Sequence, residues 1–201
     1  MSATEELKET KKLVTGEDYI NSLKDREITV YLMGELVKDP VNHPIIRPSV
    51  NAVAETYDLA LREPDLASVE SPFTGEKISR FLHVCTEVND LVLQNKMQRK
   101  MGQLTGTCFQ RCVGMDAFNS LYSVTYEMDE KYRSDYHQRF KAFVTMTHRH
   151  GYVIGGAMTD VKGDRSLPPH QQADPDLYVH ITKRTEDGVC LLYTSPSPRD
   201  A

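Results

Sequence analysis

Cys108-Phe109-Gln110-Arg111-Cys112-Val113-Gly114-Met115-Asp116-Ala117-Phe118-Asn119 opens a stretch in which Cys108, Cys112, Met115, Phe118 and Tyr122 recur at three- and four-residue steps. That spacing puts all five on one face of a helix. Two readings of the cysteines follow from spacing. They line a core stripe with Met115 and Phe118, since a free thiol packs as a small apolar group. Alternatively, they offer two thiolates from one face to a metal, whose site takes about four ligands, the rest coming from elsewhere.

Working outward, the preceding helix begins after Thr86 and carries Val88, Leu91, Val92 and Met97, with Gly102 and Gly106 placed to bend or end it. A third runs from about Asp135 to His150 with Phe140, Phe143 and Met146 inward. His148 and His150 cannot share a helical face and read as surface residues at the helix end; His137 reads as structural. Upstream, Thr15 with Asp18 makes an N-terminal cap for a helix holding Tyr19, Ile20 and Leu23. Ile28 to Val37 reads as a hairpin turning at Gly34. Pro40, Pro44 and Pro48 hold off regular structure until Ser49, after which Val50, Val53, Ala54, Tyr57 and Leu61 mark another helix. Cys85 reads as a core residue.

After Gly151 the period changes. Tyr152-Val153-Ile154 and Tyr178-Val179-His180-Ile181-Thr182 read as strands joined by a loop holding Pro168, Pro169 and Pro175. The predicted class is therefore a mostly α N-terminal helical domain followed by the start of a β-domain, truncated, because two strands alone are marginal. The boundaries are a flexible leader over 1–14, the helical domain over 15–150, and the opening of the β-domain over 151–189. The string 190–201, CLLYTSPSPRDA, resembles the translation of a sequencing-library transposon adapter. It is set aside as non-native, and Cys190 with it.

The bulk numbers exclude several functions. A net charge of −5 with no basic patch speaks against a nucleic-acid partner. No apolar run is long enough to span a bilayer, and the polar N-terminus is no signal peptide, so a cytoplasmic protein is expected. The cysteines form no disulfide framework. There is no dinucleotide fingerprint, P-loop or nucleophile elbow.

Read in order, Lys96-Met97-Gln98-Arg99, the Cys108–Asn119 stretch, Gly156-Ala157-Met158-Thr159-Asp160 and Lys162-Gly163-Asp164-Arg165 resemble the 4-hydroxyphenylacetate 3-hydroxylase family of flavoproteins. Within that family the likeness is to the branch that dehydrates 4-hydroxybutyryl-CoA and isomerises vinylacetyl-CoA. Asp18-Tyr19-Ile20, Ser22-Leu23, His43-Pro44 and Ile46-Arg47-Pro48-Ser49 match as well, so the resemblance spans residues 15 to 189. It implies an acyl-CoA dehydrogenase-like architecture, FAD and a [4Fe-4S] cluster as cofactors, an acyl-CoA substrate, and a homotetrameric complete enzyme. Cys108 and Cys112 then supply two cluster ligands, the others (a His and a Cys) lying beyond residue 189. Arg99 and Gln110 line the active site. Met158, Thr159, Asp160, Lys162, Gly163, Asp164 and Arg165 contact the flavin, with Val161 where the family pattern has Pro. On residue type alone, Arg99 also reads as a solvated helix charge and the 158–165 segment as a polar turn. The reaction implied removes water from 4-hydroxybutyryl-CoA to give crotonyl-CoA by one-electron chemistry, and residues 1–201 alone are expected to be inactive. The other member of the family to weigh is the oxygenase component of an aromatic hydroxylase, which needs no cluster.

Overall fold

The computed structural model describes residues 12–24, 26, 28–156, 163–186 and 188–192. Thr15 caps the first helix, α1 (Gly16–Lys24), as its spacing predicts: its hydroxyl accepts from the Asp18 amide at 2.9 Å and Asp18 accepts from the Thr15 amide at 3.1 Å. Strands β1 (Val30–Leu32) and β2 (Glu35–Val37) form the expected hairpin. Met33 and Gly34 both take positive φ (53° and 80°), the pairing a two-residue hairpin turn requires.

Helix α2 spans Arg47–Arg62 and starts two residues ahead of the expected Ser49. Pro48 is the reason. In the first turn its missing N–H has no helical partner to lose, so the residue read as a barrier serves as a start. Tyr19 stacks on Tyr57 at 5.7 Å, and the Gly16 amide donates to Asp58 at 2.9 Å, joining α1 to α2. A short α3 (Pro64–Ala67) leads into β3 (Ser68–Glu70), which pairs antiparallel with β4 (Lys77–Ser79) around the Ser71–Gly75 turn. A single 3-10 turn, Arg80–Leu82, follows.

Three longer helices complete the unit: α4 (Val88–Thr105), α5 (Cys112–Tyr132) and α6 (Tyr136–His150). Gly106 (φ 60°) and Gly151 (φ 67°) end α4 and α6 in the left-handed cap that favours glycine. Asp129 accepts from the Tyr136 and His137 amides, both at 2.9 Å, so α5 caps α6.

Two apolar clusters form the core. Ala52, Leu59, Ala67, Phe81, Met97, Met101, Phe109 and Met115 gather around the first half of α5. Ile78, Leu82, Val84, Phe118, Phe140 and Val144 gather below it. Each large member contributes on the order of 2 kcal/mol by leaving water.

Other expectations change, beginning with Leu61, which leaves the inward face of α2 and is exposed. The inward face of α4 is Asp90, Gln94, Met97 and Met101, while Val88 (77% exposed), Leu91 and Val92 point out. Apolar spacing found the helix and misplaced its face, because a buried ion network claims the Asp90 side. On α6, Phe140 is buried but Phe143 is exposed, and Val144, Thr147 and His148 fill the inward stripe. Residues 152–154, expected as a strand, join no helix or ladder among the described residues. Their place is against α5: a Cβ on Gly114 would lie 1.9 Å from the Ile154 carbonyl oxygen, and one on Gly156 would lie 2.1 Å from Val113 Cγ1. Cys85 is half-buried, its amide donating to Asn119 at 2.7 Å, rather than lying in the core.

The described residues fall into two compact units, of which the helical one ends at Gly156. In the other, β5 (His180–Thr185) pairs antiparallel with β6 (Gly188–Leu192), Cys190 standing opposite Lys183.

Candidate functional site

The segment between α4 and α5 follows a simple alternation. Cys108 and Gln110 are exposed; Phe109 and Arg111 are buried. Helix α5 begins only at Cys112, so the two cysteines do not share a helical face as their spacing suggested. Gly106 has already closed α4, and Gln110 adopts a left-handed backbone (φ 57°) that interrupts helical continuation. Cys108 thus stands in the loop and Cys112, half-buried, in the first turn of α5 against the apolar cluster that includes Phe81 and Met115.

Phe109 and Arg111 anchor this loop on the same ring. Phe81 lies 5.4 Å from the Phe109 centroid, and the Arg111 guanidinium sits 5.2 Å from the Phe81 centroid and 4.7 Å from that of Tyr57. Arg111 is 1% exposed. Its Nη1 donates to Thr56 Oγ1 at 2.8 Å, and Thr56 in turn donates to the Val53 carbonyl. Its Nε and Nη2 find no hydrogen-bond partner among the described residues. Burial pushes the guanidinium below its usual range; nearby Tyr57 and Tyr19 pull the other way. Residue spacing marked Arg111 only as part of a motif; a cation between two cysteines at an alternating position was the signal available.

Two buried polar systems support the frame. Asp90 takes Arg80 Nη1 at 3.2 Å and His83 Nε2 at 3.0 Å, and accepts the Thr86 amide at 3.0 Å. Burial alone would raise its carboxyl; the Thr86 and Glu87 amides and His83 outweigh that and hold it at about 2. His148, expected at the surface, is 0% exposed. It is inward because the helix rotates that face onto the β3–β4 turn. Its Nε2 donates to the Leu82 carbonyl at 2.7 Å, and Ser71 Oγ lies 2.8 Å from Nδ1. Ser71 Oγ already accepts the Phe73 and Thr74 amides, so its hydroxyl proton goes to Nδ1, which defines a neutral imidazole. Burial depresses its basicity.

The other sequence-derived positions are less closely gathered. Arg99 is exposed on α4 and has no ion pair among the described residues, whereas its neighbour Lys100 bridges Glu63 at 2.9 Å. Met158, Thr159, Asp160 and Lys162, with Val161, lie outside the described residues. Gly163, Asp164 and Arg165 form a turn closed by a residue the sequence reading missed, Gln172. Its Oε1 accepts the Asp164 amide at 2.9 Å and its Nε2 donates to the Asp164 and Leu167 carbonyls. A Cβ on Gly163 would meet Gln172 Oε1 at 2.5 Å and Leu177 Cδ2 at 2.6 Å, so a larger residue there would displace the ends of those two side chains. Ser166 hydrogen bonds hold the Asp164 carboxyl below its ordinary value.

A metal–thiolate centre fits what the cysteine loop offers, in part. Two free thiols are soft ligands, the first turn of α5 has no side-chain cap, and the buried Arg111 guanidinium keeps two nitrogens without a hydrogen-bond partner among the described residues. Among the described residues, however, no three His, Cys, Asp or Glu side chains gather closely enough to hold a metal ion. The loop offers two thiols and no further ligand among the described residues. No helix among the described residues is long and apolar enough to cross a membrane.

A helical unit with small hairpins and a cysteine loop at the head of its central helix defines the class. The chain belongs to the 4-hydroxyphenylacetate 3-hydroxylase family, whose N-terminal model matches residues 15–191. It is 47% identical over 182 residues to the 4-hydroxybutyryl-CoA dehydratase/vinylacetyl-CoA Δ-isomerase of Clostridium aminobutyricum, covering 89% of this chain and 37% of that protein. An oxygen-tolerant archaeal 4-hydroxybutyryl-CoA dehydratase from N. maritimus superposes with a TM-score of 0.82 at 64% identity, covering 88% of this chain and 35% of that one. The oxygenase component of 4-hydroxyphenylacetate 3-monooxygenase, complexed with FAD and 4-hydroxyphenylacetate, shares the fold at 22% identity and a TM-score of 0.68, covering 88% and 37% of the two chains. The chain therefore spans little more than a third of the length of its relatives.

Proposed function

We propose that this chain is part of a flavin- and iron–sulfur-dependent enzyme, acyl-CoA dehydrogenase-like in architecture, that dehydrates 4-hydroxybutyryl-CoA to crotonyl-CoA and isomerises vinylacetyl-CoA. The observation that carries the reading is the cysteine loop, in which buried Phe109 and Arg111 leave Cys108 exposed four residues ahead of Cys112 at the head of α5. The 47% and 64% identities to dehydratases, against 22% to the oxygenase component, favour that branch of the family.

When bound, a [4Fe-4S] cluster would supply a Lewis-acidic iron for departure of the substrate hydroxyl, and FAD a one-electron acceptor and donor. The chain's own residues do the rest. Cys108 and Cys112, as thiolates, hold two of the roughly four ligand positions of such a cluster. Gln110, exposed between them, presents an amide to the acyl-CoA, and Arg99 a guanidinium from which the thioester carbonyl oxygen accepts. Lys162 and Arg165 meet the cofactor pyrophosphate, with Met158, Thr159, Asp160, Gly163 and Asp164 along the flavin. The complete enzyme is proposed to be cytoplasmic and homotetrameric.

Iron, acid-labile sulfide and FAD per chain, measured on anaerobically purified full-length protein, test the reading. All three should be present, with crotonyl-CoA formed from 4-hydroxybutyryl-CoA. FAD without iron or sulfide would move the protein to the oxygenase reading, in which the thiols are idle. Residues 1–201 alone should show no turnover, since two thiols cannot complete a cluster; measurable dehydration by them would contradict the ligand count.

A further inference from the structure

We propose that Arg111 is a positioning residue and the built-in counter-charge for the anionic metal centre formed at Cys108 and Cys112. The inference rests on the metal reading of those thiols and goes beyond it. A guanidinium this deeply enclosed normally faces a carboxylate, because a buried cation without one is costly. Here the groups that meet it are two aromatic faces and one hydroxyl, and two of its nitrogens make no hydrogen bond among the described residues. An aliphatic side chain of similar length would fill the slot between Tyr57 and Phe81 without that cost.

The charge has a use on the other side of the peptide bond. Arg111 is bonded directly to Cys112, and the uncapped first turn of α5 adds partial positive charge at the same place. Both would favour an anionic group of iron and sulfide held there. A positive charge beside a cluster stabilises its reduced, more negative form, and so raises its midpoint potential. The aromatic clamp adds position: with Phe109, it keeps Cys108 and Gln110 facing out.

The test uses the full-length protein, loaded anaerobically with ferrous iron and sulfide, as native, Arg111→Met, Arg111→Lys and Thr56→Val forms. Iron and sulfide content and an EPR-monitored redox titration are read for each. Arg111→Met should hold less than half the native iron, or hold a cluster with a more negative midpoint. Arg111→Lys should recover most of both. Thr56→Val keeps the cation and loses one hydrogen bond, so it should melt earlier with a native midpoint. A folded Arg111→Met protein with native iron and midpoint would overturn the proposal, as would a Thr56→Val shift equal to that of Arg111→Met. Should Arg111→Met not fold, Arg111→Lys decides: loss of the native midpoint with the charge retained counts against the counter-charge. Native protein that takes up no iron overturns the metal reading itself, and is recognised before any variant is compared.

Discussion

At the scale of single residues, glycines and buried charges carry the tightest constraints. Gly114 sits where the Ile154 carbonyl crosses α5, and an added methyl would lie 1.9 Å from that oxygen. Gly114→Ala should therefore cost about 2 kcal/mol or more, lowering the melting temperature by roughly 4–8 °C. Thermal unfolding by circular dichroism checks this, and an unchanged midpoint would mean that 152–156 does not pack as described. Gly102, with nothing within 4 Å of its Cβ position, is the matched control. Of the residues that shape the cysteine loop, the sequence made the cysteines and Gln110 visible through motif order. It did not reveal the inward turn of Arg111, because a charged residue in a polar segment is ordinarily solvated and only tertiary packing buries it.

Among the elements, α4 shows where pattern reading succeeds and fails. Its existence and its glycine stop were legible from propensity and spacing. Its orientation was not, since Asp90 faces inward to meet Arg80 and His83 while Val88 and Leu91 face out. An ion network outbids apolar patterning when it also caps a helix: the Asp90 carboxylate accepts the Thr86 and Glu87 amides at the helix start. Asp90→Asn would leave Arg80 and His83 buried beside a neutral group, for a loss of about 3 kcal/mol. Urea unfolding of the variant measures it; a loss below about 1 kcal/mol would show the network to be worth little. The hairpin at Met33-Gly34 and the caps at Thr15, Gly106 and Gly151 were readable, because each is decided by local backbone chemistry. The fate of 152–154 was not. A β-rich tripeptide looks alike whether it joins a sheet or lies along a helix.

For the whole molecule, stability should decline over two pH ranges as acid is added. His148 is neutral and its basicity is depressed by burial, so the unfolded chain binds its proton more readily. That contribution is complete above the ordinary histidine range and declines as pH drops below about 6.5. Asp90, held at about 2 against an ordinary 3.8, contributes roughly 2 kcal/mol that is present above pH 4 and lost between about 4 and 2. Stability measured against pH should show both declines. His148→Gln should remove the upper one and leave the lower; a variant that keeps both would assign the upper decline elsewhere. The helical class, the order of the elements and the family were legible from the chain. The number of thiols was too, since a count is a property of composition, whereas their placement at a helix head is not.

The alternation across Cys108, Phe109, Gln110 and Arg111 makes the loop a matter of phase. Deleting or inserting one residue there exchanges the two sides, swinging a cation and a phenyl ring into water and driving a thiol into the core. A change of two residues restores the sides and alters only the reach. Length variants of this loop should therefore survive in even steps and fail in odd ones.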